Sequence, residues 1–327
     1  EGLEQMSKNK MYPYAVARVR MLERSLLTEK QYSQMVEAKS MQEVLKLLSE
    51  AGYGAGLTEQ NVSTALAARQ KKAYDDIAEL AEGQSFLDVF LLKNDYHNLK
   101  VLLKEEVSGV DGSAYLIGGG TVDVEVMRQA FETKAFDVLP PFFVEDVQQA
   151  REVYAKTASG QMIDVVLDRA AFAAMAKKAK ESRHPFVEGY LTRLANLTNL
   201  KSFFRVKAMK KPFELLRDVF VPGGDLDLAV FQAAFGNEDA IGAWKNSPYQ
   251  ALTEELRLGY TAFEKACDNV LMDYMKEAKY AALTLEPMVA YLYAVEAEVK
   301  TVRIILNGKT NGIEAAVIKE RLRDAYV

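Results

Sequence analysis

Asn98-Leu99-Lys100 sits in an apolar-periodic stretch, and the step returns as Asn199-Leu200-Lys201 and again as Glu298-Val299-Lys300. The copies stand 101 and 99 residues apart. A fixed period is the mark of a repeat architecture. This period is longer than one helix pair needs, so each copy is expected to be a small helical domain. Three copies can close about an approximate threefold axis into a ring, collar or socket.

The likeness extends outward from the step. The first copy is followed by Gly119-Gly120-Thr121-Val122-Asp123-Val124-Glu125-Val126-Met127-Arg128-Gln129-Ala130-Phe131. The second is followed by Gly223-Gly224-Asp225-Leu226-Asp227-Leu228-Ala229-Val230-Phe231-Gln232-Ala233-Ala234-Phe235. Both glycines are shared, as are Asp123 with Asp227, Val126 with Val230, Ala130 with Ala234 and Phe131 with Phe235. Each stretch reads as a turn opening an amphipathic helix, with Thr121 or Asp225 as the expected N-cap. Gly119, Gly120, Gly223 and Gly224 are expected to be structural turns, since glycine alone takes positive φ without steric cost. The third copy is degenerate: Asn311-Gly312 makes the turn and residues 313–323 the helix. Residues 14–27, followed by Thr28, read as a fourth opening of the same pattern. The chain is then expected to start and end inside repeat units, its termini completing one unit between them.

Helical spacing dominates the rest. Val89, Leu92, Tyr96, Leu99 and Leu103 form one stripe; Tyr190, Leu194, Leu197, Leu200 and Phe204 a second; Met288, Leu292, Val295, Val299, Val302 and Leu306 a third. Strand signals at residues 114–117 and 141–144 are too short for a sheet. Ser40-Met41-Gln42-Glu43 reads as a capping box, heading a helix that stops at Gly52-Tyr53-Gly54. Turn clusters at residues 108–120, 210–225 and 307–312 divide the chain into units at 12–110, 111–212 and 213–327. No stretch is low-complexity enough for a flexible linker, so the units should pack directly on one another.

The 327 residues are 49% apolar and 27% charged, as in an ordinary globular protein. The formal charge of −5 gives no global attraction to nucleic acid or anionic lipid, so any such contact must be local. Cys267 is the single cysteine, which excludes an intrachain disulfide and fits a reducing compartment. The opening Glu1-Gly2-Leu3-Glu4-Gln5 lacks an initiator methionine, and Met6 or Met11 is the expected native start. No segment is long and apolar enough to span a bilayer.

Catalytic patterns dissolve on inspection. Asp75-Asp76-Ile77-Ala78-Glu79 resembles half of an aspartate-rich magnesium site for a diphosphate, but the nearest second cluster, Asp268, Asp273 and Glu277, has the wrong spacing. Gly308-Lys309-Thr310 ends like a phosphate loop, yet it follows a helix and Arg303 stands where a glycine is required. His97 and His184, the only histidines, have no ligand-spaced partner. Phe203-Phe204-Arg205-Val206-Lys207 and Lys210-Lys211-Pro212-Phe213 interleave aromatics with cations, but at helical spacing the phenylalanines belong to a core. No catalytic residue, cofactor or metal ligand is therefore assigned.

Residues 14–23 (Tyr14-Ala15-Val16-Ala17-Arg18-Val19-Arg20-Met21-Leu22-Glu23), then Leu26-Leu27-Thr28, closely resemble the N-terminal region of the C-subunit family of prokaryotic V/A-type ATPases. Asn94-Asp95-Tyr96-His97-Asn98-Leu99-Lys100 is similar to that family's most recognisable step, and the Gly-Gly turns and Asn199-Leu200-Lys201 fit as well. The resemblance spans essentially the whole chain; the eukaryotic relative is the d subunit of the V-ATPase. It implies an all-α fold of three similar helical domains with pseudo-threefold symmetry, forming a funnel with a central cavity. It also implies a non-catalytic rotor part that sits on the cytoplasmic end of the membrane proteolipid ring. There it receives the central stalk, made of the D and F subunits, and passes torque between stalk and ring. Glu298 departs from the motif's asparagine, which favours a packing role for the motif over a binding one. Arg18, Arg20, Lys100, Lys201 and Arg303, on or near the repeated helices, are the candidate contacts to stalk or ring. The competing readings are a magnesium-dependent diphosphate enzyme using Asp75, Asp76 and Glu79, and a free-standing helical scaffold.

Overall fold

The structure, a computed structural model, describes residues 2–81 and 85–327, with side chains from residue 13 onward; Met6 and Met11 fall outside the described side chains. Every regular element among the described residues is helical. In chain order the α-helices are α1 (Gly2–Glu23), α2 (Glu29–Glu37), α3 (Met41–Leu48), α4 (Val62–Leu80), α5 (Asp88–Ser108), α6 (Val124–Thr133), α7 (Pro141–Thr157) and α8 (Gly160–Ser182). They continue with α9 (Pro185–Ala208), α10 (Phe213–Val219), α11 (Leu228–Phe235), α12 (Gln250–Glu254), α13 (Tyr260–Lys276), α14 (Glu286–Thr310) and α15 (Ala315–Arg321).

The chain forms two compact units. One joins Glu1–Gly83 to Trp244–Val327, and the other is the contiguous Gln84–Ala243. The first is thus built from both ends of the chain, as the fourth opening of the pattern led us to expect. Its centre is α14, on which α1, α4 and α13 pack. Val299, Val302 and Ile305 of α14 share a core with Leu27, Val44, Leu48 and Leu66. Fifteen of the residues of α14 are buried, on more than one side, which is why its apolar stripe is broad rather than one-faced. In the second unit α5 lies along α8, and α7 and α9 pack on α8 as well. Phe90 of α5 stacks on Tyr190 of α9 at 5.3 Å between ring centres, and Tyr96 meets Phe143 edge-on at 5.3 Å.

Several local expectations shift by a residue or two. The caps of α6 and α11 are Asp123 and Asp227, whose carboxylates accept from Val126 and Val230 N–H, rather than Thr121 and Asp225. Thr121 and Asp225 face the preceding long helix instead and are bonded there. Ser40 does accept from Glu43 N–H at 3.2 Å, but Glu43 reaches back to Lys39 N–H at 2.8 Å, one residue early. The reciprocal box is at Thr28 and Gln31. Residues 113–115 wind into a 3-10 turn, and Pro141, with φ already set for a helix, opens α7. The last helix runs Ala315–Arg321, shorter than the expected 313–323.

Candidate interface positions

The motif residues of the long helices turn inward. Asn199 is fully buried; its Nδ2 donates to Val221 C=O and its Oδ1 accepts from Val221 N–H, both at 2.9 Å. Asn98 clasps Ile117 in the same way, at 2.7 and 2.9 Å. An asparagine amide offers one donor face and one acceptor face, so it satisfies both backbone groups of one residue. One turn earlier, Asp95 accepts from Thr121 N–H at 2.8 Å, its hydroxyl at 2.6 Å and Val122 N–H at 3.2 Å. Asn196 stands in the same place, accepting from Leu226 N–H and donating to Asp225. Burial pushes the Asp95 carboxyl above its ordinary value despite those bonds.

The glycine pairs exist for these clasps. Gly119 and Gly223 take φ of +81° and +101°, where a side chain is strained. A Cβ on Gly120 would lie 2.0 Å from Asp95 Oδ1, and one on Gly224 would lie 2.2 Å from Asn196 Oδ1. The first glycine of each pair supplies the turn; the second gives room for the helix side chain beneath it.

Glu298 shows what happens when the partner changes. This carboxylate accepts from Leu27 N–H at 2.6 Å, from the Tyr53 hydroxyl, and from Arg69 Nε at 3.3 Å. Arg69 also donates to Ser25 C=O at 3.2 Å. All three of these partners of Glu298 are donors, so an acceptor-only side chain fits where asparagine would leave its amide N–H₂ opposed. Burial raises the Glu298 carboxyl, with Arg69 and the hydrogen bonds acting against that rise.

A charged residue near the far end of each long helix secures the short helix at its C-terminus. Lys207 donates to Phe235 and Asn237 C=O at 3.0 and 2.9 Å, and Lys309 donates to Ala38 C=O at 2.7 Å. Ammonium groups there satisfy orphan carbonyls and oppose the helix dipole. For α6 the polarity is reversed. Glu106 holds Lys134, the left-handed residue that ends the helix, at 2.7 Å, and Arg151 at 2.8 Å. Burial would raise Glu106, but the bonds from Arg151 and Lys134 take it below its ordinary value.

Of the five candidate cations, Arg18 and Arg303 are exposed, and Lys201 is half-buried. Arg20 bonds Glu23 and three backbone carbonyls, and Lys100 pairs with Asp168 at 2.6 Å. The catalytic look-alikes are likewise engaged within the chain. Asp75 and Asp76 pair with Lys71 and Lys72 one turn away, and Asp268 holds Lys300 and Arg323. Among the described residues no group of three or more His, Cys, Asp or Glu side chains is placed to hold a metal ion. No described helix is long and apolar enough to cross a membrane.

One recurrent surface feature remains. Val126, Val230 and Val317 each lie three residues past the cap position of α6, α11 and α15, and each is exposed, at 40%, 43% and 37%. The next residue is buried every time: Met127, Phe231 and Ile318. An exposed valine in a first helical turn gains little from local helix preference. The Val126–Val230 identity was readable in the repeat, but the exposure was not. Val317 was hidden because its helix follows α14 directly, without a glycine pair.

Comparison with known proteins accords with this arrangement. The sequence model for the ATP synthase (C/AC39) subunit matches residues 15–321. The C subunit of the V-type sodium ATPase of Enterococcus hirae is 22% identical over 322 residues, covering 94% of this chain and 97% of that one. The C subunit of the V-type ATP synthase of Thermus thermophilus is 27% identical over 325 residues, covering 95% and 98%. The C subunit of the A-type ATP synthase of Pyrococcus abyssi is 22% identical over 330 residues, covering 94% and 89%.

Proposed function

The chain belongs to the ATP synthase (C/AC39) subunit family, and we propose that it is the non-catalytic rotor adaptor of a V/A-type ATPase. In this reading it joins the central stalk, made of the D and F subunits, to the membrane proteolipid ring and carries torque between them. Three helical repeats, over residues 12–110, 111–212 and 213–327, are arranged about a pseudo-threefold axis as a funnel around a central cavity. It is held at the cytoplasmic face of the membrane by the ring. Whether protons or sodium ions are coupled is decided by the ring, where the ion site lies.

The observation that carries this reading is the recurrence of an exposed valine in the first turn of three short helices, α6, α11 and α15. A side chain kept apolar at the same exposed turn of three short helices suits contact with other subunits better than catalysis. The buried polar residues support it by serving structure: each clasp satisfies a backbone segment and resists shear between helices. The engagement of Asp75 and Asp76 by Lys71 and Lys72 disfavours a magnesium–diphosphate enzyme. Arg18 and Arg303 remain the exposed cations best suited to contact stalk or ring.

The test is size exclusion with light scattering of the chain mixed with a purified D–F pair. A one-to-one-to-one complex is expected, lost when Val126, Val230 and Val317 are together changed to Glu. Absence of a complex at low salt, well above micromolar and with the ring added, would overturn the reading. Calorimetry with magnesium and a prenyl diphosphate should give no heat.

A further inference from the structure

Residues of α13, α14 and α15 line a cleft of about 470 Å³ that the adaptor reading does not use. A volume of that order is typical of sites that take a ligand. The scaffold around it is tight. A Cβ on Gly308 would lie 2.6 Å from Ile318 Cδ1, so α14 and α15 meet at a glycine. Ile313 N–H donates to Gly308 C=O at 2.8 Å, closing the turn between the two helices. Arg323 pairs with Asp268 of α13 at 2.8 Å and donates to Arg321 C=O at 2.5 Å, which fixes the end of α15. The cleft is therefore formed before anything enters it.

Its lining divides by burial. Ile318 is 1% exposed, Ile304 and Ile313 are half-buried, and together they make an aliphatic floor. Asn307 and Arg321 also line the cleft but are exposed, so they stand at its mouth. Neither the Arg321 guanidinium nor the Asn307 side-chain amide has a partner among the described residues. Arg303, likewise exposed and without a partner among them, stands one turn before Asn307 on α14. Glu264, the carboxylate in the lining, is already engaged.

These groups describe an occupant. A guanidinium takes a carboxylate through two parallel N–H groups. A side-chain amide takes the N–H and C=O of one residue, as Asn98 and Asn199 do for Ile117 and Val221 inside this chain. In an extended segment alternate side chains face opposite ways. An acidic residue set between two aliphatic ones thus turns its carboxylate to the mouth while its neighbours reach the isoleucines. Glu264 in the same lining tells against a dianion such as phosphate.

We propose that this cleft takes an extended peptide segment of a partner protein in which an acidic residue is flanked by aliphatic ones, with Arg321 holding the acid and Asn307 the backbone. The inference goes beyond the adaptor reading and does not depend on it. A free aliphatic acid would satisfy Arg321 and the floor but leave the Asn307 amide unmatched, which favours a peptide.

The test is isoleucine δ1-methyl NMR of the full chain, titrated with acetyl-Ala-Leu-Glu-Leu-Ala-amide. Saturable shifts are expected at Ile304, Ile313 and Ile318, with Ile77 and Ile163, buried elsewhere, unmoved. Lysine in place of the peptide's glutamate, or R321M in the chain, is expected to weaken binding roughly tenfold, and N307A roughly fivefold. Both residues are exposed, so the melting temperature should stay unchanged. Absence of shifts at about 5 mM peptide would overturn the proposal. So would equal binding of the lysine peptide, or undiminished binding to R321M. If isocaproate bound as tightly as the peptide and N307A left both unchanged, the cleft would be a site for a free acid and the peptide would be wrong. None of these outcomes touches binding of the D–F pair, so the adaptor reading stands or falls separately.

Discussion

Asn199 and Glu298 occupy the same place in two long helices, one in the contiguous unit and one in the unit made from both chain ends. Asn199 clasps Val221, 22 residues away, and Glu298 clasps Leu27, 271 residues away. The near partner offers a donor and an acceptor, and an amide answers both. The distant site offers only donors, and a carboxylate answers them. The difference teaches that the repeat conserves a task, fixing an incoming segment to the middle of a helix, rather than a residue. It also costs more to close the longer loop, by roughly 2 kcal/mol on polymer grounds, which the buried Arg69 pairing helps to offset.

Exchanging the two chemistries should break the comparison most sharply. Asn199→Asp sets a buried carboxylate against Val221 C=O and should cost about 4 kcal/mol, read by urea denaturation and by hydrogen exchange at Val221. Glu298→Gln removes the charge that balances Arg69 and opposes donors with donors. It should cost about 3 kcal/mol, with faster exchange at the Leu27 amide. If either swap is neutral, the matching of donors to acceptors is not what selects the residue. Gly224→Ala should cost about 2 kcal/mol by pushing Asn196 off Leu226 and Asp225, and Gly120→Ala should act in the same way on Asp95.

Acidity sharpens the contrast with smaller effects. Glu298 and Asp95 titrate above their ordinary values, so the folded chain binds protons more readily than the unfolded one. Their contribution to stability falls as pH rises from the ordinary carboxylate range through the raised values. Glu106 is lowered, so its contribution is present above the ordinary glutamate value and is lost as pH falls through the folded one. Urea midpoints should therefore respond to pH less in Glu298→Gln than in wild type as pH rises above the ordinary carboxylate range. The smallest effect expected is Lys309→Met, about 1 kcal/mol, from loss of the bond to Ala38 C=O at the end of α2.

What the sequence disclosed was whatever depends on neighbours within a few turns. The stripes at Val89–Leu103 and Tyr190–Phe204 and the glycine pairs were legible because helix periodicity and positive φ are local properties. The caps slipped from Thr121 and Asp225 to Asp123 and Asp227 because the earlier side chains were claimed by a helix about thirty residues upstream. Lys309 was set aside as a phosphate-loop residue from the sequence alone, but its bond to the end of α2, 271 residues away, was not legible there. Arg20 read as a surface contact because nothing in its own helix announces carbonyls that lie 258 residues away. Partner choice over such distances is fixed by tertiary packing, and a single sequence carries no local trace of it.

The unit made from both chain ends also has a history as the chain is made. The contiguous unit can complete itself as soon as it leaves the ribosome. Leu27 must wait for Glu298, 271 residues later, which at ordinary synthesis rates is roughly 15 to 50 seconds. During that interval the inner faces of α2, α3 and α4 have no α14 to cover them. The early segment is therefore the part of this protein most in need of shelter during translation. A version with its ends joined and reopened at residue 243 would shorten the wait, leaving Leu27 to follow Glu298 by about a fifth of the present separation.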